Sequence, residues 1–423
     1  MRKPTAALAA IMCAATSPLL AETTIIHADG VIVDAESPPM GRATVTVTDG
    51  RIVSVEEGWA DVPEGAQMVH LEGKTLVPGL VDLHVHLTGD PGGDFWRGAV
   101  EPDEWGVVVG AKNAEKTLKA GFTTVREAGS SQHTAFSLRR GTEEGLIQGP
   151  RIIAAGPPLA IVGGHGDVSG FLPEVNEVLS SGYTCTGAVE CAEKVRRASQ
   201  NGADTIKITA TGGVLSQQGR GLEAHFSDPE MESIVETANS LGLDVMAHAH
   251  GARGIEAAAR AGIDTIEHGT YLDEAAANAM RENGTVLIPT LMAFKGVTEG
   301  LGKGIYTPVV EEKIRAVAET AQVFMGKAHR WNVPIAFGTD AGVFEHGRNA
   351  EEFALMVGQG MSPREALASA TTVAAKVLHM EAEIGRIAPG YSADMIAVEG
   401  NPLNDVTVLE DVEWVMARGR VAE

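Results

Sequence analysis

From residue 79 to residue 340, short apolar runs alternate with alanine-rich helical stretches eight times, and that alternation constrains the fold more than any other feature. The predicted strands are Gly79–His86, Thr123–Glu127, Arg151–Ala155, Thr205–Thr209, Asp244–His248, Thr265–His268, Val286–Pro289 and Ile335–Asp340. Helical patterns fall between them, among them Val107–Lys119, Pro229–Leu241, Gly254–Ala261 and Val309–Trp331. Parallel strands joined by crossover helices are covered on both faces, so they read as unbroken apolar runs. Eight such units point to an α/β fold, a closed (β/α)8 TIM-like barrel. An open doubly wound sheet is the alternative, but no Gly-x-Gly-x-x-Gly turn stands where a dinucleotide fold needs it.

The flanks read differently. Thr44-Val45-Thr46-Val47-Thr48, then Asp49-Gly50, then Arg51-Ile52-Val53-Ser54-Val55 is a hairpin with its turn dipeptide. Asp394–Val398 and Val412–Ala417 have a similar β pattern. The 423 residues suit one large domain and a smaller one. A net charge of −23 argues against a nucleic-acid backbone or an anionic membrane as partner. Hydrophobic residues make up 44% of the chain, which excludes disorder.

Met1–Ala21 opens with Arg2-Lys3 and continues into the apolar run Ala6–Ala15. This reads as an export signal cleaved after Ala21, with a buried N-terminal helix as the alternative. The expectation is an exported protein, periplasmic or secreted, with no membrane association after signal removal. No later window holds about 18 continuous apolar residues. Export would permit a disulfide between Cys185 and Cys191, and two free thiols are the other reading.

Five clusters carry chemistry. His84 and His86 in Asp82-Leu83-His84-Val85-His86 share one face of a strand and can share a metal, or can be two satisfied core histidines. Lys207, in Ile206-Lys207-Ile208-Thr209, points away from its isoleucines into the barrel. A buried ammonium there needs a carboxylate partner or an altered chemistry, such as a carbamate able to bridge two metals. His248 and His250 share a face in Met246-Ala247-His248-Ala249-His250. His268 ends the run Ile266-Glu267-His268, and Asp340 ends Ala336-Phe337-Gly338-Thr339-Asp340. All five clusters fall at the C-terminal ends of strands, the rim where barrel active sites sit. Imidazole and carboxylate donors favour zinc, with manganese, iron or cobalt as alternatives.

These motifs resemble the amidohydrolase superfamily, in its branch with two metals and a carboxylated lysine. Gly79-Leu80-Val81-Asp82-Leu83-His84-Val85-His86 is similar to its first-strand motif. Lys207 with Ala210-Thr211-Gly212-Gly213-Val214, His248-Ala249-His250-Gly251 and Ile266-Glu267-His268-Gly269-Thr270 resembles the prolidase-like dipeptidases and carboxypeptidases and their ochratoxin-hydrolysing relatives. Gly385–Asp394 is similar to the superfamily's return to its small β domain. The resemblance implies a β-sandwich from residues 22–78 and 384–423 beside a metal-dependent barrel over 79–383.

It also implies roles. His84 and His86 would bind the more buried of two divalent metal ions, His248 and His268 the more exposed one, and carboxylated Lys207 would bridge them. Asp340 would touch the buried metal and carry the proton. A metal-bridging hydroxide would attack a dipeptide or N-acyl amino acid and release its C-terminal amino acid. Ochratoxin-type amides fall in that class. His250, His165 in Gly163-Gly164-His165-Gly166, Arg220 and Tyr271 would face the substrate, whose carboxylate needs a local donor in so acidic a chain. Glu127 stands where relatives more usually have Asp. Lactone or other cyclic-amide hydrolysis and ring deamination use related barrels, though deaminase sites commonly hold one metal without the carbamate. A non-catalytic scaffold should have lost ligands, and all six are present. Relatives often form symmetric assemblies, which leaves a homo-oligomer open.

Overall fold

Asp49 (φ 49°) and Gly50 (φ 78°) both take left-handed backbone, as a two-residue hairpin turn of the right twist requires. The computed structural model, which describes residues 23–92, 95–217 and 221–422, builds this hairpin into a sheet made from both chain ends. The amino-terminal strands are β1 (Thr23–Val31), β2 (Ala43–Thr48), β3 (Arg51–Glu57) and β4 (Gln67–Pro78). The barrel strands follow: β5 (Leu80–Val85), β6 (Phe122–Glu127), β7 (Arg151–Ala154), β8 (Thr205–Thr209), β9 (Asp244–Ala249), β10 (Thr265–His268) and β11 (Val286–Ile288). The chain then returns as β12 (Met395–Glu399), β13 (Val412–Ala417) and β14 (Arg420–Val421). The expected sandwich is one continuous seven-stranded sheet, in the order β14-β13-β12-β4-β1-β2-β3. The expected signal over residues 1–21 and Arg220 lie outside the described residues.

The barrel strands pair in parallel as β5-β6-β7 and as β8-β9-β10-β11. Leu159 bridges the first seam, donating to Lys207 O (2.8 Å) and accepting from Thr209 N (3.0 Å). Residues 335–341 close the second, pairing with Leu287 on one side and Val85 on the other. The eighth strand expected at Ile335–Asp340 is thus present as a bridging segment rather than a regular strand. Its ladder is interrupted because Phe337 N donates to Ser369 O (3.0 Å) instead of to a strand neighbour.

The single helix expected over Val309–Trp331 is two, Pro308–Ala321 and Phe324–Arg330. Gln359 separates them. Its amide donates to Ala321 O (3.0 Å) and its carbonyl accepts from Gly326 N (3.1 Å), so one side chain takes up backbone groups at both helix ends. Cys185 and Cys191 form a disulfide, which joins the loop before helix Ala188–Gln200 to its first turn.

Both faces of β12 are buried. Met395 and Ala397 enter the small sheet's core with Ile26, Val45 and Leu76. Ile396 and Val398 enter the barrel's core. Strand alternation thereby fastens the sheet to the barrel.

Candidate metal centre and its cleft

The rim gathers the residues expected from the sequence. Ligand atoms of His84, His268 and Asp340 lie within 4.8 Å of one another, as do those of His248, His250 and His268, and either group can hold a metal ion. His86 Nε2 is 3.3 Å from Asp340 Oδ1, and His84 Nε2 is 3.5 Å from the same oxygen. Lys207 Nζ reaches to 3.5 Å from His84 Nε2. The rings of His248 and His268 are 4.6 Å apart, and those of His250 and His268 4.9 Å. His165 packs 4.2 Å from His248.

Backbone and side-chain partners decide which nitrogen faces the centre. His84 Nδ1–H donates to Glu267 Oε2 (2.6 Å) and His86 Nδ1–H to Gly129 O (2.8 Å), leaving each Nε2 to the site. His248 is reversed: its Nε2–H donates to Gly212 O (3.2 Å), leaving the Nδ1 lone pair. His250 Nδ1 pairs with Thr270 Oγ1 and His268 Nδ1 with Thr290 Oγ1, both at 2.7 Å. Asp82 ties β5 to the segment bearing Asp340, accepting from Thr339 Oγ1 (2.6 Å), Thr339 N (3.0 Å) and Asn349 Nδ2 (2.8 Å).

Three of these residues are backbone outliers. His268 (φ 73°), Thr290 (φ 48°) and Asp340 (φ 64°) all sit in the left-handed region without being glycine. Such conformations cost of order 1–3 kcal/mol each and survive where surrounding structure enforces them. Here each outlier turns its side chain into the same constellation.

Burial sets the charges. It holds the imidazoles of His84, His248 and His268 well below the usual histidine range and takes His86 to about 4 and His250 to about 3. The rings are therefore neutral, the form that binds metal. Burial likewise lowers Lys207 and raises Asp340, against the field of each on the other. Among the described residues no carboxylate makes an ion pair with Lys207, so the reading of a lysine satisfied by an acid does not describe this side chain. Glu267 takes the cation instead: Arg126 Nη2 donates to it at 2.9 Å, and both are buried. Glu127 is fully buried and pushed up to about 8. Its Oε2 accepts from Leu87 N (2.6 Å), and its Oε1 stands 3.9 Å from His86 Nδ1.

The centre floors a cavity of about 590 Å³ lined by apolar side chains, including Val168, Leu179, Val214, Leu215, Phe294 and Val297. His165 and His250 line it. Tyr271 does not: its hydroxyl finds its partner in Ala316 O (3.2 Å), in helix Pro308–Ala321, away from the walls.

Sequence reasoning missed Lys313. From that same helix it donates to Gly213 O (2.9 Å) and Ser216 O (2.6 Å), fastening the loop after β8 over the cavity. Ser216 Oγ in turn bonds His165 Nδ1 (2.7 Å). Gly213 is required here, because a Cβ would lie 2.4 Å from the His165 ring. A lysine on a mixed helix surface far along the chain carries no local signal of this role.

The amidohydrolase family's sequence profile matches residues 75–422. Ochratoxinase of Aspergillus niger is 33% identical, covering 93% of this chain and 85% of its own. The crystal structure of a Xaa-Pro dipeptidase with methionine bound in its active site is 36% identical, with a TM-score of 0.87 over 95% of this chain and 99% of that one. A prolidase complexed with N-methylphosphonate-L-proline is 32% identical, with a TM-score of 0.86 over 94% and 99%.

Proposed function

The chain belongs to the amidohydrolase family, and we propose that it is a metal-dependent hydrolase of dipeptides or N-acyl amino acids that releases the C-terminal amino acid. One observation carries the reading: His84, His86, Lys207, His248, His268 and Asp340 converge at one barrel rim, all buried except the part-exposed His86, with Lys207 unpaired by any carboxylate among the described residues. Neutral imidazoles, one carboxylate and a lysine with a lowered pKa form a donor set that fits two divalent ions, with zinc favoured. His84 and His86 would hold one ion with Asp340, His248 and His268 the other, and a carboxylated Lys207 would join them. Bound metal supplies an acidified water and a Lewis acid for the amide carbonyl.

The chain's own residues do the rest. Water adds to the amide carbon, the C–N bond breaks, and a carboxylic acid and an amine result. Asp340, raised by burial, takes the proton from the attacking water on a carboxylate oxygen and delivers it to the leaving nitrogen. Glu267, held by Arg126, fixes the ring and tautomer of His84. His165 and His250 orient the substrate from the cavity wall. The apolar lining around them excludes water and suits an apolar leaving amino acid. The proline- and methionine-containing ligands of the solved relatives support that class. The disulfide supports placing the enzyme in an oxidising, exported compartment.

Release of free amino acid from a panel of dipeptides and N-acyl amino acids, by protein loaded with zinc or manganese, tests the reading. Release that depends on metal is expected. Turnover of lactones or cyclic amides with no amide panel member cleaved would overturn it.

A further inference from the structure

The cavity continues beyond the metal centre. Past His165 it opens into an outer chamber of about 870 Å³, and the two chambers share wall residues that include Thr88, Ser131, Val168, Leu179 and Leu215. Ligand pockets run roughly 300–1,000 Å³, so each chamber holds a ligand-sized group by itself. A dipeptide seated at the metal centre leaves the outer one unfilled.

Its walls carry aromatic rings. Aromatic residues make up only 4% of the chain, yet Phe95, Trp105 and Phe171 stand around this one space. The rings of Phe95 and Phe171 meet at 5.4 Å. Gly170 (φ 94°) lets Phe95 approach, since a Cβ there would lie 2.7 Å from its ring. Trp105 is 48% exposed and Phe95 39%, large apolar surfaces that gain by being covered. Among the described residues the chamber's Arg and Lys side chains are already paired, Arg97 with Glu101 (3.1 Å) and Lys112 with Asp90 (2.6 Å). Asp103 and Asp167 also line it and make no ion pair among the described residues. That negative excess repels a substrate's carboxylate end and admits its other end.

We propose that the outer chamber is an acyl-group subsite, in which a neutral aromatic or extended apolar acyl group lies against Phe95, Trp105 and Phe171 while its amide carbon reaches the metal centre. The proposal rests on the amide-hydrolase reading above, and its consequence is a preference for bulky over small acyl groups. N-acetyl-L-methionine and N-(2-naphthoyl)-L-methionine share a leaving group and separate the two statements. In wild type the naphthoyl compound should show a kcat/KM at least tenfold above the acetyl one. In Trp105→Ala that advantage should fall about tenfold, with the acetyl value held within twofold. Equal kcat/KM for the two compounds in wild type, or an equal loss of both in Trp105→Ala, overturns the subsite and leaves the hydrolase reading standing. If neither compound is cleaved, the dipeptide and N-acyl panel above decides the hydrolase reading, and the neutral probe 2-naphthamide decides the chamber alone. Quenching of tryptophan emission that is lost in Trp105→Ala supports it, and absence of quenching overturns it. A Trp105→Ala protein of smaller assembled mass than wild type would make this face a contact between copies, and would also overturn it.

Discussion

Asp340 is asked to do two things, and its surroundings show how. A left-handed backbone aims it between His84 and His86, and Asp82 with Thr339 holds the segment that carries it. Asp340→Asn keeps the shape and removes the proton acceptor, so turnover should fall by about 10²–10⁴-fold with the fold unchanged; wild-type activity in a metal-loaded variant would refute the proton role. Lys207→Ala should lose metal by elemental analysis and regain part of it with a short carboxylic acid. Unchanged metal content would count against the carbamate. Arg126→Met strands the Glu267 carboxylate in the core, and breaking such a buried pair costs about 3–5 kcal/mol, measurable as a shift in denaturant midpoint. His84 and His86 were legible because strand geometry puts i and i+2 on one face. Glu267 sat in full view beside His268, but its bond to His84, far along the chain, exists only once the barrel closes. The left-handed turns at His268 and Asp340 left no trace in residue type, since glycine would have marked them and is absent there.

At the scale of elements, the loop after β8 and helix Pro308–Ala321 act together through Lys313. Burial takes its ammonium from an ordinary value of 10.5 to about 8. Between those pH values the unfolded chain binds more protons than the folded one, so this group's contribution to stability rises with pH. The folded protein should therefore gain stability relative to Lys313→Met as pH goes from 8 to 10.5, read from paired urea midpoints. Parallel curves for the two proteins would contradict the burial of this charge. Seven barrel strands were legible as apolar runs with small errors at their ends. The eighth was legible as a run, but its pairing was not, because Ser369 competes for Phe337 N. The break after Ala321 was hidden for a related reason: helical periodicity continues through it, and only Gln359, brought in by tertiary packing, takes up the backbone groups on either side.

For the whole molecule, β12 is the joint. Ile396 and Val398 belong to the barrel's core and Met395 and Ala397 to the sheet's, so one strand contributes to both cores. Ile396→Ala should cost about 2–5 kcal/mol and lower both far-ultraviolet signal and activity in one denaturant transition; two separated transitions would show that the bodies unfold independently. The chain-end pattern announced a second β body, while its single continuous sheet, with β4 and β12 paired side by side, depends on contacts over 300 residues apart in sequence. The charge of −23 supplies no partner and leaves the cleft to provide its own recognition. The central claim is that the rim is a two-metal amide hydrolase site, and its most direct test is metal stoichiometry and amino-acid release measured on one sample. The account predicts two ions per chain, with release lost on chelation and restored on adding metal back. A folded, metal-saturated protein that frees no amino acid from any dipeptide or N-acyl amino acid would contradict it.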